Sequence, residues 1–176
     1  MKYFLGLLIF IPVILSAQPK DEELLEWSAS KRFTWNDYKS SPDPSSDAAA
    51  STTTYLSIEY NITSTSFGYK IKSRFSKTRS WGLHKTDYIL AHEQGHFDIA
   101  EIFARKLNKR MSEYIFDWKN YKQDLKKIYQ DVMDEKEEIQ NKYDEETNHS
   151  INKEKQEEWL KKIDKMLEEL RNFSNY

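Results

Sequence analysis

The feature that most constrains this chain is a pair of histidines spaced four residues apart within a helical pattern. His92 and His96 flank Glu93 in the segment His92-Glu93-Gln94-Gly95-His96. Apolar residues recur at intervals of three and four on or near the same stripe, as far as Met111. Residues four apart lie one turn above each other on one helix face. The segment therefore predicts a helix with two imidazoles on the side that it buries.

Two neutral imidazoles at this spacing bind one Zn²⁺ from one side and leave positions for a third ligand and a water. Glu93 is placed to accept a proton from that water and to return it to a leaving amine. The His-Glu-x-x-His motif of zinc peptidases has this chemistry. The alternative is a helix in which two ordinary histidines make hydrogen bonds in the core.

A catalytic zinc site needs a third protein ligand, and the chain offers few. It has four histidines and no cysteine. We favour His149, because it lies at a predicted helix break where its direction is independent of helical spacing. Asp144 is the runner-up, and His84, just before the helix, is a further option. Glu101 points about 140° away from His96 around the helix, so we do not expect it to share the metal.

The first 17 residues are typical of a cleaved export signal. Lys2 is followed by an apolar run over residues 4–15 and by Leu15-Ser16-Ala17, a cleavage site. The run is too short for a stable membrane span, although an uncleaved anchor is the alternative. Because the chain lacks cysteine, it has no lipid attachment site and no disulfide. We expect a secreted or periplasmic mature chain, residues 18–176, that forms one domain.

The charge pattern argues against nucleic acid as a partner. The net charge is −2, and the charged residues, 32% of the chain, are mixed in sign with no basic patch. The expected partner is a peptide or protein substrate. Nothing in the sequence indicates an oligomeric state.

Residues 22–83 form a β-rich part. Residues 54–62 and 67–75 largely alternate apolar and polar side chains, and the polar residues 63–66 between them predict a hairpin.

Residues 85–171 are predicted to be helical. After the histidine helix, an apolar stripe over residues 117–143 predicts a second helix, and residues 152–171 predict a third. The charged run 134–138 in the second helix is expected to be a solvated face. The fold class is therefore α+β: a small antiparallel N-terminal sheet followed by a helical region that carries the metal-site helix.

Several segments together resemble one bacterial family. They are Leu25-Glu26-Trp27, Phe33-Thr34-Trp35-Asn36-Asp37-Tyr38, residues 92–101 and Tyr143-Asp144-x-x-Thr147-x-His149. The combination resembles the secreted domain of unknown function 922 family, described as zinc-dependent proteases, over about residues 24–160. The resemblance implies a metalloprotease-like, zincin-like domain without naming a substrate. The family pattern has glycine after the last histidine, where this chain has Ser150.

We therefore predict that His92, His96 and His149 bind Zn²⁺ and that Glu93 is the general base for hydrolysis of a peptide bond. Tyr143 is assigned to stabilising the developing oxyanion, with a core aromatic as the alternative. Two other functions stay open. One is a non-catalytic, metal-stabilised binding protein of the cell envelope, and the other is an interaction module without metal.

Overall fold

The computed structural model of the protein describes residues 22–64 and 66–176. The predicted export signal, residues 1–17, lies outside the described residues. An antiparallel sheet from the N-terminal half is followed by three helices, which confirms the predicted α+β fold. Strands give way to helices between residues 82 and 87. This is where the sequence placed the change from the β-rich to the helical part.

The described residues of the N-terminal half form two small antiparallel sheets. Their strands are β1 (Leu24–Glu26), β2 (Ala50–Ser51), β3 (Thr54–Ile62), β4 (Phe67–Ser76) and β5 (Trp81–Gly82). The larger sheet has the order β1-β4-β3, and β2 pairs with β5. The predicted hairpin is present as β3 and β4, with Ile58 opposite Ile71. Because side chains alternate between the faces of a strand, these two isoleucines and Leu56 are buried on one face.

Three α-helices follow the strands in the described residues: α1 (Asp87–Glu113), α2 (Tyr121–Thr147) and α3 (Lys153–Glu169). Thr86 begins α1, since its hydroxyl accepts a hydrogen bond from the Ile89 N–H at 3.2 Å. α1 packs against β3 and β4 as well as against α2 and α3. Its middle is consequently buried, with Ile99 and Phe103 fully covered. Across the described ranges, no helix combines the length and the apolar character that a membrane span requires.

Gly95 marks a close contact between α1 and α2. A Cβ atom at this position would lie 2.5 Å from the hydroxyl oxygen of Tyr143 and 2.9 Å from its Cζ, so only glycine fits. Tyr143 is fully buried there, and its hydroxyl donates to the carbonyl of His92 at 3.2 Å. The contact brings the last two turns of α2 alongside the histidines of α1.

Asp98, one turn beyond Gln94 on α1, ties the N-terminal segment to the helix. Its buried carboxylate accepts hydrogen bonds from Nε1 of Trp27 at 2.8 Å and from Arg32 at 2.9 Å, and Gln94 adds a third donor. Burial raises the pKa of Asp98, although these donors act in the opposite direction. Phe33, next to Arg32, packs against Phe97 with ring centroids 5.9 Å apart. These contacts hold Trp27, Arg32 and Phe33 against α1, just beyond the histidines.

The turn between α2 and α3 has an unusual backbone. Asn148, His149 and Ser150 have φ values of 48°, 50° and 71°. Left-handed backbone costs a residue with a Cβ atom roughly 1–2 kcal/mol, and glycine avoids this cost. The glycine of the family pattern thus suits the conformation found at Ser150.

We predict that Ser150→Gly raises the free energy of unfolding by up to about 1 kcal/mol, because the relieved strain exceeds the extra flexibility of glycine in the unfolded chain. Urea denaturation of residues 18–176, the predicted mature chain, measures the change. Ser150→Ala is the matched control and should give no such gain, since it keeps the Cβ atom. An equal gain in both variants would show that backbone strain is not the cause.

Candidate metal centre

Three side-chain atoms from α1 and α2 converge on one point. Oδ1 of Asp144 lies 3.0 Å from Nε2 of His96 and 3.1 Å from Nε2 of His92. The two Nε2 atoms are 3.2 Å apart. A tetrahedral zinc with ligands at about 2.0–2.1 Å separates its ligand atoms by roughly 3.3 Å. The triangle is therefore nearly the size that one tetrahedral metal ion requires.

Gln140 on α2 fixes the orientation of His96. Its amide oxygen accepts from Nδ1 of His96, and its amide nitrogen donates to the His96 carbonyl at 2.9 Å. With Nδ1 donating to Gln140, Nε2 is the nitrogen that faces the cluster, and its lone pair would bind a metal once it has lost its proton, as in most metal-binding histidines. Nδ1 of His92 is buried without a hydrogen-bond partner among the described residues. Gln140 was not predicted from the sequence, although it lies four residues before Asp144 on the same helix face.

The electrostatics of the cluster favour a cation between its atoms. Burial raises the pKa of Asp144, but hydrogen bonds with His92 and His96 lower it by more, so that it falls well below its usual range. Burial lowers the pKa of His96, but Asp144, Glu93 and Gln140 raise it by more. Two imidazoles and a carboxylate also form a ligand set that zinc accepts. The residues present therefore fit a zinc ion.

The third position of the cluster belongs to Asp144 and not to the favoured His149. Nδ1 of His149 lies 3.7 Å from Oδ1 of Asp144, and the His149 side chain is 70% exposed. The physical reason is the length of α2, which continues to Thr147 instead of ending near Tyr143. Its last turns run alongside the two histidines of α1. Asp144, a residue within the helix, therefore contacts them, whereas His149 lies beyond the end of the helix.

The remaining candidates lie outside the cluster. His84 is exposed in the segment before α1. Glu101 is buried on another side of α1, where Nε of Arg105 donates to it at 2.8 Å and the hydroxyl of Tyr176 donates to its other oxygen. Burial raises the pKa of Glu101. Its carboxylate has a structural role, in agreement with its expected direction on the helix.

Tyr143 contacts the cluster through the ring of His92. Its ring stacks on the His92 ring, with centroids 4.6 Å apart and an interplanar angle of 21°. Burial, with a further contribution from Glu93, raises the pKa of Tyr143 far above its usual range. Because the hydroxyl already donates to the His92 carbonyl, the geometry suits positioning of His92 better than contact with an oxyanion.

The cluster opens onto a cleft of about 590 Å³. From α1 the cleft is lined by His92, Glu93 and His96, and from α2 by Lys136, Gln140 and Asp144. Residues 48–54, which include β2, form another wall. The Glu93 side chain is almost fully buried, and its carboxylate makes no hydrogen bond within residues 22–64 and 66–176.

Fold and site together define an α+β protein with a His-His-Asp cluster capable of binding a metal ion. The family model described as "Bacterial protein of unknown function (DUF922)" matches residues 16–150, and the chain belongs to this family. The matched range includes all three residues of the cluster. No curated protein and no solved structure matches the chain.

We predict that the mature protein binds about one zinc and that Asp144→Ala lowers zinc affinity by roughly a hundredfold or more. His149→Ala should change it only a few fold. Binding should weaken on acidification, and the raised pKa of His96 makes proton competition begin at a higher pH than for an ordinary imidazole. Competition with a chromophoric chelator measures the affinity, and His84→Ala is the control. A strong loss in His149→Ala with little loss in Asp144→Ala would restore His149 as the third ligand.

Proposed function

We propose that this protein is an exported zinc-dependent peptidase with its active site in the cleft beside α1 and α2. The proposal rests above all on one observation. A triangle of metal-binding atoms, with edges of 3.0–3.2 Å, and the buried Glu93 carboxylate line the same open cleft. Export is proposed from the sequence of residues 1–17 alone.

His92, His96 and Asp144 would hold the zinc. When bound, zinc supplies a Lewis acid that polarises a carbonyl and lowers the pKa of water. Catalytic zinc sites typically have three protein ligands and an open fourth position, whereas a fourth protein ligand closes a structural site. Gln140 orients His96 through hydrogen bonds, and Tyr143 orients His92 through ring stacking and a hydrogen bond to its carbonyl. Residues next to the ligands have this role at other metal sites.

Glu93 is the general base in this proposal. It directly follows His92 and lines the cleft, and its carboxylate makes no hydrogen bond within the described part of the chain. A carboxylate in that position accepts a proton from the attacking water and returns it to the leaving amine. Its burial keeps competing water away from the proton transfer.

The edge of β2 favours a peptide as the substrate. The Ala49 carbonyl accepts a hydrogen bond from the Leu83 N–H at 2.9 Å, so Ala50 and Gly82 form the next, non-hydrogen-bonded pair. The N–H and C=O of Ala50 consequently point away from β5. On that side β2 has no strand neighbour in the described ranges. An extended peptide binds such an edge through main-chain hydrogen bonds, and residues 48–54 line the cleft.

A metal-stabilised binding protein of the cell envelope is the second candidate. The position of His149 favours it, since Nδ1 lies 3.7 Å from Oδ1 of Asp144 and a rotation of its exposed side chain brings it towards the metal position. A fourth protein ligand would close the site and leave no position for water.

We predict that Glu93→Gln keeps the fold and zinc binding but lowers peptide hydrolysis by about 10²–10⁴-fold, because an amide does not accept the proton. Digestion of a broad peptide library, followed by mass spectrometry, identifies a substrate and then gives the rate. Glu145→Gln makes the same chemical change on the exposed side of α2 and should leave the rate unaltered. Undiminished hydrolysis in Glu93→Gln would refute the mechanism, and a wild-type protein inactive on every peptide would favour the binding protein.

A further inference from the structure

Lys136 is the one cationic side chain, apart from the histidines, among the described residues that line the cleft. It lies four residues before Gln140 and eight before Asp144, so the three share one face of α2. This position differs from the expectation for the charged run 134–138. Glu137 and Glu138 are exposed as predicted, whereas Lys136 is half-buried in the cleft wall.

The Lys136 ammonium group has no partner in the part of the chain that the structure describes. It makes no ion pair and no hydrogen bond with any residue of ranges 22–64 and 66–176. Burial lowers the pKa of Lys136, and the neighbouring Glu137 offsets part of this effect. A partly desolvated cation without a counter-ion is unfavourable, and an anionic group brought into the cleft would relieve the cost.

The other charged groups of the cleft restrict where that anion binds. Asp43, Glu93 and Asp144 are acidic and line the same cleft. Hydrogen bonds from Ser45 lower the pKa of Asp43, so it is ionised at neutral pH. A carboxylate entering the cleft is therefore repelled by these residues and attracted by Lys136. A bound metal is the other group in the cleft that would attract it.

We propose that Lys136 forms a subsite for a carboxylate group of the peptide that the cleft binds. The inference rests on the proposed function and names its substrate class: peptides with an acidic side chain or a free C-terminus at a fixed distance from the cleaved bond. Eight residues of helix separate Lys136 from Asp144 by about 12 Å along the axis. That distance equals roughly three to four residues of extended peptide.

Calorimetric titration of zinc-loaded Glu93→Gln protein tests the subsite, because binding is then measured without cleavage. The probes are amidated alanine-serine decapeptides with one Glu moved along the sequence, the same peptides with Gln, and one peptide without Glu that has a free C-terminus. We expect a carboxylate at one position to strengthen binding by about tenfold over its neutral counterpart. The Glu series and the free C-terminus show which source supplies the carboxylate.

Substitutions of the lysine decide whether it is responsible. Lys136→Met in the same background should abolish the preference for the carboxylate, whereas Lys136→Arg should retain most of it. Lys126→Met, which removes an exposed lysine from the same helix, is the matched control and should keep the preference. A preference that survives Lys136→Met would place the carboxylate elsewhere, such as on the metal, and would overturn the proposal.

The remaining outcomes separate this inference from the proposed function. The absence of any carboxylate preference, or of any peptide binding, overturns the subsite even if the wild-type protein hydrolyses peptides. If the wild-type protein has no hydrolytic activity but a carboxylate preference depends on Lys136, the subsite is supported and only the peptidase assignment fails.

Discussion

The close contact between Gly95 and the ring of Tyr143 is the constraint on which the site depends. Because a Cβ atom at Gly95 would lie 2.5 Å from the Tyr143 hydroxyl oxygen, α1 and α2 approach this closely only with glycine at that position. Residues on either side of Tyr143 then reach the histidines: Asp144 completes the triangle, and Gln140 binds His96. The glycine inside the His-Glu-x-x-His motif is therefore needed for the assembly of the cluster.

The sequence predicted the local elements well. Alternation of side chains gave the bounds of β3 correctly, and helical spacing placed both histidines on a buried helix. These features depend on short-range periodicity, which a single sequence contains. The third position of the cluster depends on how far α2 extends beside α1, and this is a tertiary property. An apolar stripe that ends at Tyr143 does not reveal that the helix continues to Thr147. For the same reason Gln140 and Lys136 were not recognised, although their spacing from Asp144 is visible in the sequence.

The arrangement also explains why unfavourable features persist near the cluster. Three consecutive residues with left-handed backbone, from Asn148 to Ser150, follow directly after the helix that carries Asp144. Lys136, a half-buried lysine that forms no ion pair with any described residue, lies about two turns before Asp144. Strained backbone and desolvated charges tend to be retained where binding depends on them. Together with the edge of β2, which has no strand neighbour within the described residues, they support the proposal that the cleft binds a ligand.

X-ray absorption spectroscopy at the zinc edge of the zinc-loaded mature protein tests the central claim most directly. Multiple scattering from imidazole rings counts the histidine ligands, and the first coordination shell reports oxygen in addition to nitrogen. Coordination by His92, His96 and Asp144 predicts two imidazoles with oxygen ligands in the remaining positions. Three imidazoles would show that His149 binds the metal, and the assignment of Asp144 as the third ligand of an open, catalytic site would then be contradicted.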